Sequence, residues 1–136
     1  MAHSYFEGEA DQDFSIKKAV LENELWTQLR IAPKSLPVGD FEIIPSLEYI
    51  RLKHKPLKNY KANAVLSANE YIVTIPELNR KLSVNFNPKF PYDVVSWEEN
   101  DNGFTTKATK LKTIKSAYWS KNSNKDEVLR KTLLLE

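Results

Sequence analysis

Cysteine is absent from this 136-residue chain, which removes disulfides, thiolate metal sites and cysteine nucleophiles together. Glycine occurs only three times and histidine twice. So little glycine argues against phosphate-cradling loops, in which the backbone must approach the phosphate closely. With His3 beside the terminus, the single useful histidine, His54, cannot supply the usual zinc ligand set. A serine nucleophile would need that histidine as its base, and no serine stands in a Gly-x-Ser-x-Gly elbow. No apolar run approaches the roughly 20 residues that span a bilayer, and no signal-peptide pattern opens the chain. Charge of one sign is also lacking. Twenty Lys and Arg against 18 acids leave a formal +2, far short of the excess of a dedicated nucleic-acid binder.

What is present is the composition of one soluble globule. The chain is 41% hydrophobic and 28% charged, enough apolar surface for one core and too even a charge for disorder. We expect a single domain over 1–136, a piece of a longer protein, with Leu135-Glu136 read as tag-derived.

The stretch "DFSIKKAVLENELWTQLRI" repeats Val20, Leu21, Leu25, Trp26 and Leu29 at helical spacing, and Pro33 follows it. That predicts an amphipathic helix over Ser15 to Arg30, capped by Asp13 or Ser15. "APKSLPVGD" reads as a loop. From Phe41 the period changes to two. "FEIIP", "LEYIRLKH", "YKANAVL", "YIVTIP", "KLSVNF", "YDVVSWEE" and "FTTKATKLKTIKSAYW" are short runs rich in β-branched and aromatic residues, at spacings of roughly 8 to 12 residues. The turns "SANE" and "NDNG", the latter with Gly103 where a hairpin needs positive φ, imply that neighbouring runs pair antiparallel. "SNKDEVLRKTLL" closes the chain as a short helix with Asn124 as its cap. The fold expected is α+β: a curved antiparallel sheet of about six to eight strands, the N-terminal helix packed on one face and a short C-terminal helix, with a closed barrel as the rival.

Four acids, Glu7, Glu9, Asp11 and Asp13, occupy alternate positions in "YFEGEADQDF". An EF-hand loop starting at Asp11 would end on Glu22, but its sixth residue is Ile16 where the sharp bend wants glycine. The row reads as the wet face of a strand followed by a helix cap. Glu98 and Glu99 beside Trp97 resemble a glycosidase pair only loosely, because adjacent strand residues face opposite sides. The basic stretch from Lys107 to Lys125 includes Lys110, Lys112, Lys115 and Lys121 and is interleaved with Tyr118 and Trp119. That suits single-stranded nucleic acid, although lysines on a long strand also discourage edge-to-edge pairing.

The segments "AHSYFEGEAD", "LRIAPKSLPVGD", "LEYIRLKHKPLKNYKA", "FPYDVVSWEE" and, above all, "TKLKTIKSAYWSKNSNKDEVLRK" resemble the C-terminal half of an uncharacterised Bacteroidetes family often catalogued as "septum formation inhibitor Maf". The resemblance covers nearly the whole chain and implies a longer, exported or lipid-anchored protein of the cell envelope. Genuine Maf nucleotide pyrophosphatases carry a Ser-Pro-Arg-Arg type motif on an α/β scaffold. No such run exists here, so no catalytic residue is carried over.

The function expected is therefore a non-enzymatic binding or structural module, monomeric, without metal or cofactor, its partner a small molecule, glycan or protein. The alternatives are a hydrolase-like enzyme using His54 or the Glu98 and Glu99 pair, and nucleic-acid binding through Lys107 to Lys125. A ligand on the concave face of a sheet would meet aromatics with convergent polar groups. The candidates are Tyr49, Arg51, His54, Tyr92, Trp97 and Trp119. Tyr49, Arg51 and Trp97 are favoured, since a guanidinium beside aromatic rings suits anionic or sugar-like groups. The competing reading makes both tryptophans core and pairs Arg51 with a surface acid.

Overall fold

The computed structural model describes Asp13 and residues 15–135. The acids Glu7, Glu9 and Asp11 and the strand expected around them lie outside the described residues, as does His3; Asp13 is exposed. Among the described residues seven strands form one open sheet in chain order: β1 (Val20–Leu21), β2 (Gly39–Ile44), β3 (Tyr60–Leu66), β4 (Glu70–Ile75), β5 (Arg80–Phe86), β6 (Val94–Asp101) and β7 (Phe104–Thr109). With α1 (Glu22–Ile31), α2 (Leu47–Leu52) and α3 (Val128–Thr132) the architecture is α+β, as expected.

Three runs fold as their alternation dictates. In β3, β4 and β5 every second residue is buried, from Tyr60, Ala62 and Ala64 through Tyr71, Val73 and Ile75 to Leu82, Val84 and Phe86. Because the side-chain period of a strand is two, these phases place all of them on one face. α1 lays Leu25 and Leu29 on that face, and α2 adds Tyr49 and Ile50, so the core is a single layer between sheet and helices. Ser67 donates its N–H to the Glu70 carbonyl at 2.8 Å in the β3–β4 turn. Between β6 and β7, Asn102 and Gly103 both take positive φ, 52° and 88°, the conformation that a two-residue hairpin matched to strand twist requires.

Four expectations need correction. The first helix begins at Glu22 rather than Ser15. Val20 and Leu21 instead pair parallel with Ile43 and Ile44, so the sheet is mixed. The start of α1 is set when the Leu21 N–H donates to the Glu24 carboxylate at 3.1 Å, with no side-chain cap from Asp13 or Ser15. Second, "LEYIRLKH" is helix rather than strand: the Ser46 hydroxyl accepts the Tyr49 N–H at 3.1 Å and opens α2. In so short a run the neighbours Tyr49 and Ile50 are both buried, which a one-sided strand would not do. Third, the strand expected over Phe104 to Trp119 stops at Thr109. Thr109 pairs with Ser96, near the start of β6 at Val94, and the Lys110 N–H donates to the Val95 carbonyl at 2.8 Å just past the end of β7. Fourth, the closing helix is preceded by a 3-10 turn, Asn124–Glu127, entered at Ser123, whose N–H donates to Asp126 at 3.2 Å; Asn124 is inside it.

Candidate functional site: a charged clasp at the end of the sheet

Arg80 sits in phase with Leu82, Val84 and Phe86, and so points from β5 into the core layer, where it is 6% exposed. A buried guanidinium persists only if its donors are satisfied by charge. Glu22, the first residue of α1 and 5% exposed, meets it end-on: Nη2 donates to Oε1 at 2.8 Å and Nη1 to Oε2. Nε donates to Glu99 of β6. The guanidinium carbon lies over the Tyr49 ring, 4.1 Å from its centre, where the negative face of the ring attracts the cation. Glu22 also accepts the Ser46 N–H at 3.2 Å, which links the starts of α1 and α2.

A second carboxylate extends the group. Asp101, at the end of β6 opposite Arg80, accepts the Tyr49 hydroxyl at 3.1 Å and the Asn102 amide at 2.8 Å, and pairs with Lys53 at 2.7 Å. Burial opposes ionisation of Asp101, but Lys53, Tyr49 and Asn102 outweigh it and hold its carboxyl below the usual carboxylate range. Burial, followed by the hydrogen bond to Asp101, pushes the Tyr49 hydroxyl up to about 12. Burial works against the charge on Arg80, and the bonds to Glu22 and Glu99 more than compensate, so its proton is held more firmly than in water. A cavity of about 10 Å³ lined by Glu22, Val73, Ile75, Arg80 and Leu82 adjoins the pair, room for about one water.

The structure separates the residues singled out from the sequence. Tyr49 is buried and carries an arginine on its ring, but that arginine is Arg80. Arg51, exposed, leaves α2 two positions on, and residues so spaced do not share a helix face. Trp97 is half-buried and packs edge-on against Trp26 at 6.5 Å. It lies four residues from Asp101 along β6, roughly 13 Å away at strand rise, so Tyr49, Arg51 and Trp97 do not converge. His54 is exposed just past α2, where it adopts φ 48°. Tyr92, half-buried, meets Phe90 edge-on at 5.9 Å. Trp119 is 74% exposed beyond β7 and meets Tyr118 at 5.3 Å. Glu98 and Glu99 face opposite sides, the first paired with Lys107 and the second with Arg80. Among the described residues no three His, Asp or Glu come together to hold a metal, and no helix is long and apolar enough to cross a membrane.

Sequence reasoning missed Arg80, Glu22, Asp101 and Lys53. A signal existed for the first two. Arg80 falls in the buried phase of "RKLSVNF", and Glu22 is spaced i, i+3, i+7 with Leu25 and Leu29; two opposite charges at core positions announce a buried pair. No family profile, curated protein or solved structure matches this chain.

Proposed function

We propose that this chain is a non-enzymatic binding or structural module of a bacterial cell-envelope protein. One observation carries the non-enzymatic part: the ionisable groups that the fold gathers are consumed by one another. Arg80 serves Glu22 and Glu99, and Asp101 serves Tyr49, Lys53 and Asn102. General acid-base work needs a group within reach of substrate and poised to exchange its proton. Here the gathered groups are clasped, beside a cavity with room for about one water. The envelope part rests on the resemblance of "TKLKTIKSAYWSKNSNKDEVLRK" and its companion segments to the Bacteroidetes family. The outer face of the sheet supports a binding role: Asp40, Asn63 and Lys61 lie exposed on it, with Asn63 bonded to Asp40 at 2.7 Å.

The test has two parts. Chromogenic esters, phosphate esters and glycosides are expected to show no turnover above buffer; turnover that falls on Glu99→Gln or His54→Ala overturns the non-enzymatic reading. Fractionation of the cells that make the protein should place it with the envelope, and recovery in the cytosolic fraction refutes that assignment.

A further inference from the structure

Among the described residues none after Asp101 is buried. The stretch beyond β7 therefore contributes nothing to the core, yet it is far from inert. From Lys107 to Glu136 there are eight Lys and Arg against three acids, a net +5, whereas residues 1–106 hold twelve against fifteen, a net −3. Lys107, Lys110 and Lys121 face Glu98, Asp93 and Asp126, while Lys112, Lys115, Lys125, Arg130 and Lys131 have no carboxylate partner among the described residues. Interspersed with these cations are large apolar side chains in water: Tyr118 is 76% and Trp119 74% exposed, and Leu111, Val128 and Leu134 are more than half exposed.

We infer that this stretch is the surface by which the domain docks peripherally on an anionic lipid bilayer. Lysines beside a membrane gain from the negative surface potential of acidic headgroups. Tryptophan and tyrosine settle at the headgroup level, where a ring can be apolar on one side and hydrogen-bonded on the other. Aliphatic side chains reach the acyl boundary just beneath. A single-stranded nucleic acid would use the lysines and the two rings but offers nothing to Leu111, Val128 and Leu134, since bases stack on aromatic rings rather than on branched aliphatic chains. The inference deepens the binding-module reading and rests on it.

The experiment mixes the whole chain with phosphatidylcholine vesicles, with and without about 30% phosphatidylglycerol, and measures co-sedimentation and tryptophan emission. Association with the anionic vesicles only, weakened by salt, and a blue shift are expected. The shift reports Trp119, because Trp26 and Trp97 are packed against the core, and it should vanish in Trp119→Ser. The triple variant Lys112→Gln, Lys115→Gln, Lys125→Gln should bind about 100-fold more weakly, at roughly fivefold per cation. Both variants should keep the parent circular dichroism and thermal midpoint, because the residues changed are all exposed. No association with anionic vesicles at low salt overturns the inference. So does association that the triple variant leaves unchanged, or tighter binding to a labelled single-stranded oligonucleotide than to vesicles. None of these outcomes touches the turnover test, so failure here and failure of the non-enzymatic reading are told apart.

Discussion

Arg80→Met keeps an unbranched stem in the core layer and deletes the guanidinium that faces Glu22 and Glu99. Glu22, 5% exposed, is then left with the Ser46 N–H at 3.2 Å as its remaining donor. Breaking a buried ion pair by removing one partner costs about 3–5 kcal/mol, because the other charge stays buried and unpaired. Loss of the cation over the Tyr49 ring adds about 1 kcal/mol. Glu99 moderates the total, since its side chain is 25% exposed and can recover water. A net loss of about 3–4 kcal/mol is expected, a large share of the roughly 5–15 kcal/mol that holds a domain together. At this size the thermal midpoint should fall by about 10–15 °C. Guanidinium denaturation followed by far-UV circular dichroism measures the free-energy loss, and a thermal scan the midpoint. The double variant Glu22→Gln, Arg80→Met supplies the decisive comparison: removing both charges should cost at least about 1 kcal/mol less than the sum of the single losses. A loss below about 1 kcal/mol for Arg80→Met, or strict additivity in the double variant, refutes the account of the clasp.

Three further outcomes follow from the same end of the sheet. Asp101 has a folded-state pKa below its ordinary 3.8, so its contribution is present above that value and is lost as pH falls through the lowered one; Asp101→Asn should flatten the acid limb of a plot of thermal midpoint against pH. Tyr49, raised from 10.0 to about 12, contributes fully below pH 10 and loses that contribution up to about pH 12, so Tyr49→Phe should remove this alkaline loss and one late-titrating phenol from the 295-nm absorbance curve. Ser46→Ala removes the side chain that caps α2 and should cost about 1 kcal/mol in a urea titration; an unchanged midpoint would mean that the cap does not hold this segment.

The clasp shows where local pattern stops being informative. A guanidinium at a core position of β5 and a carboxylate at a core position of α1 are readable as anomalies, but their partnership spans 58 residues of sequence and exists only because α1 crosses the inner face of the sheet. Tyr49 was singled out for an arginine beside an aromatic ring. That arrangement exists, with Arg80 in place of Arg51, because the segment is a helix and turns Arg51 outward. Arg51 and His54 fail to join Tyr49 for the same reason, since the strand expected there is a helix, while Tyr92, Trp97 and Trp119 belong to other segments, of which only Trp97 is on a strand.

By itself the sequence determined the central strands, since period-two burial in "YKANAVL", "YIVTIP" and "KLSVNF" has one solution when a single face is covered, and it determined the last hairpin, since Asn102-Gly103 accepts the positive φ that the turn demands. Tertiary structure decided what short apolar runs leave ambiguous. Pairing with Ile43 and Ile44 drew Val20 and Leu21 out of the helix, the Ser46 cap and the core beneath it made "LEYIRL" helical, and pairing with β6 carried β7 only as far as Thr109, opposite Ser96. The strand pairings turn on hydrogen-bond partners distant in sequence, and the local Ser46 cap holds only over a core that distant segments build, because a backbone donor takes whichever acceptor the folded chain brings to it.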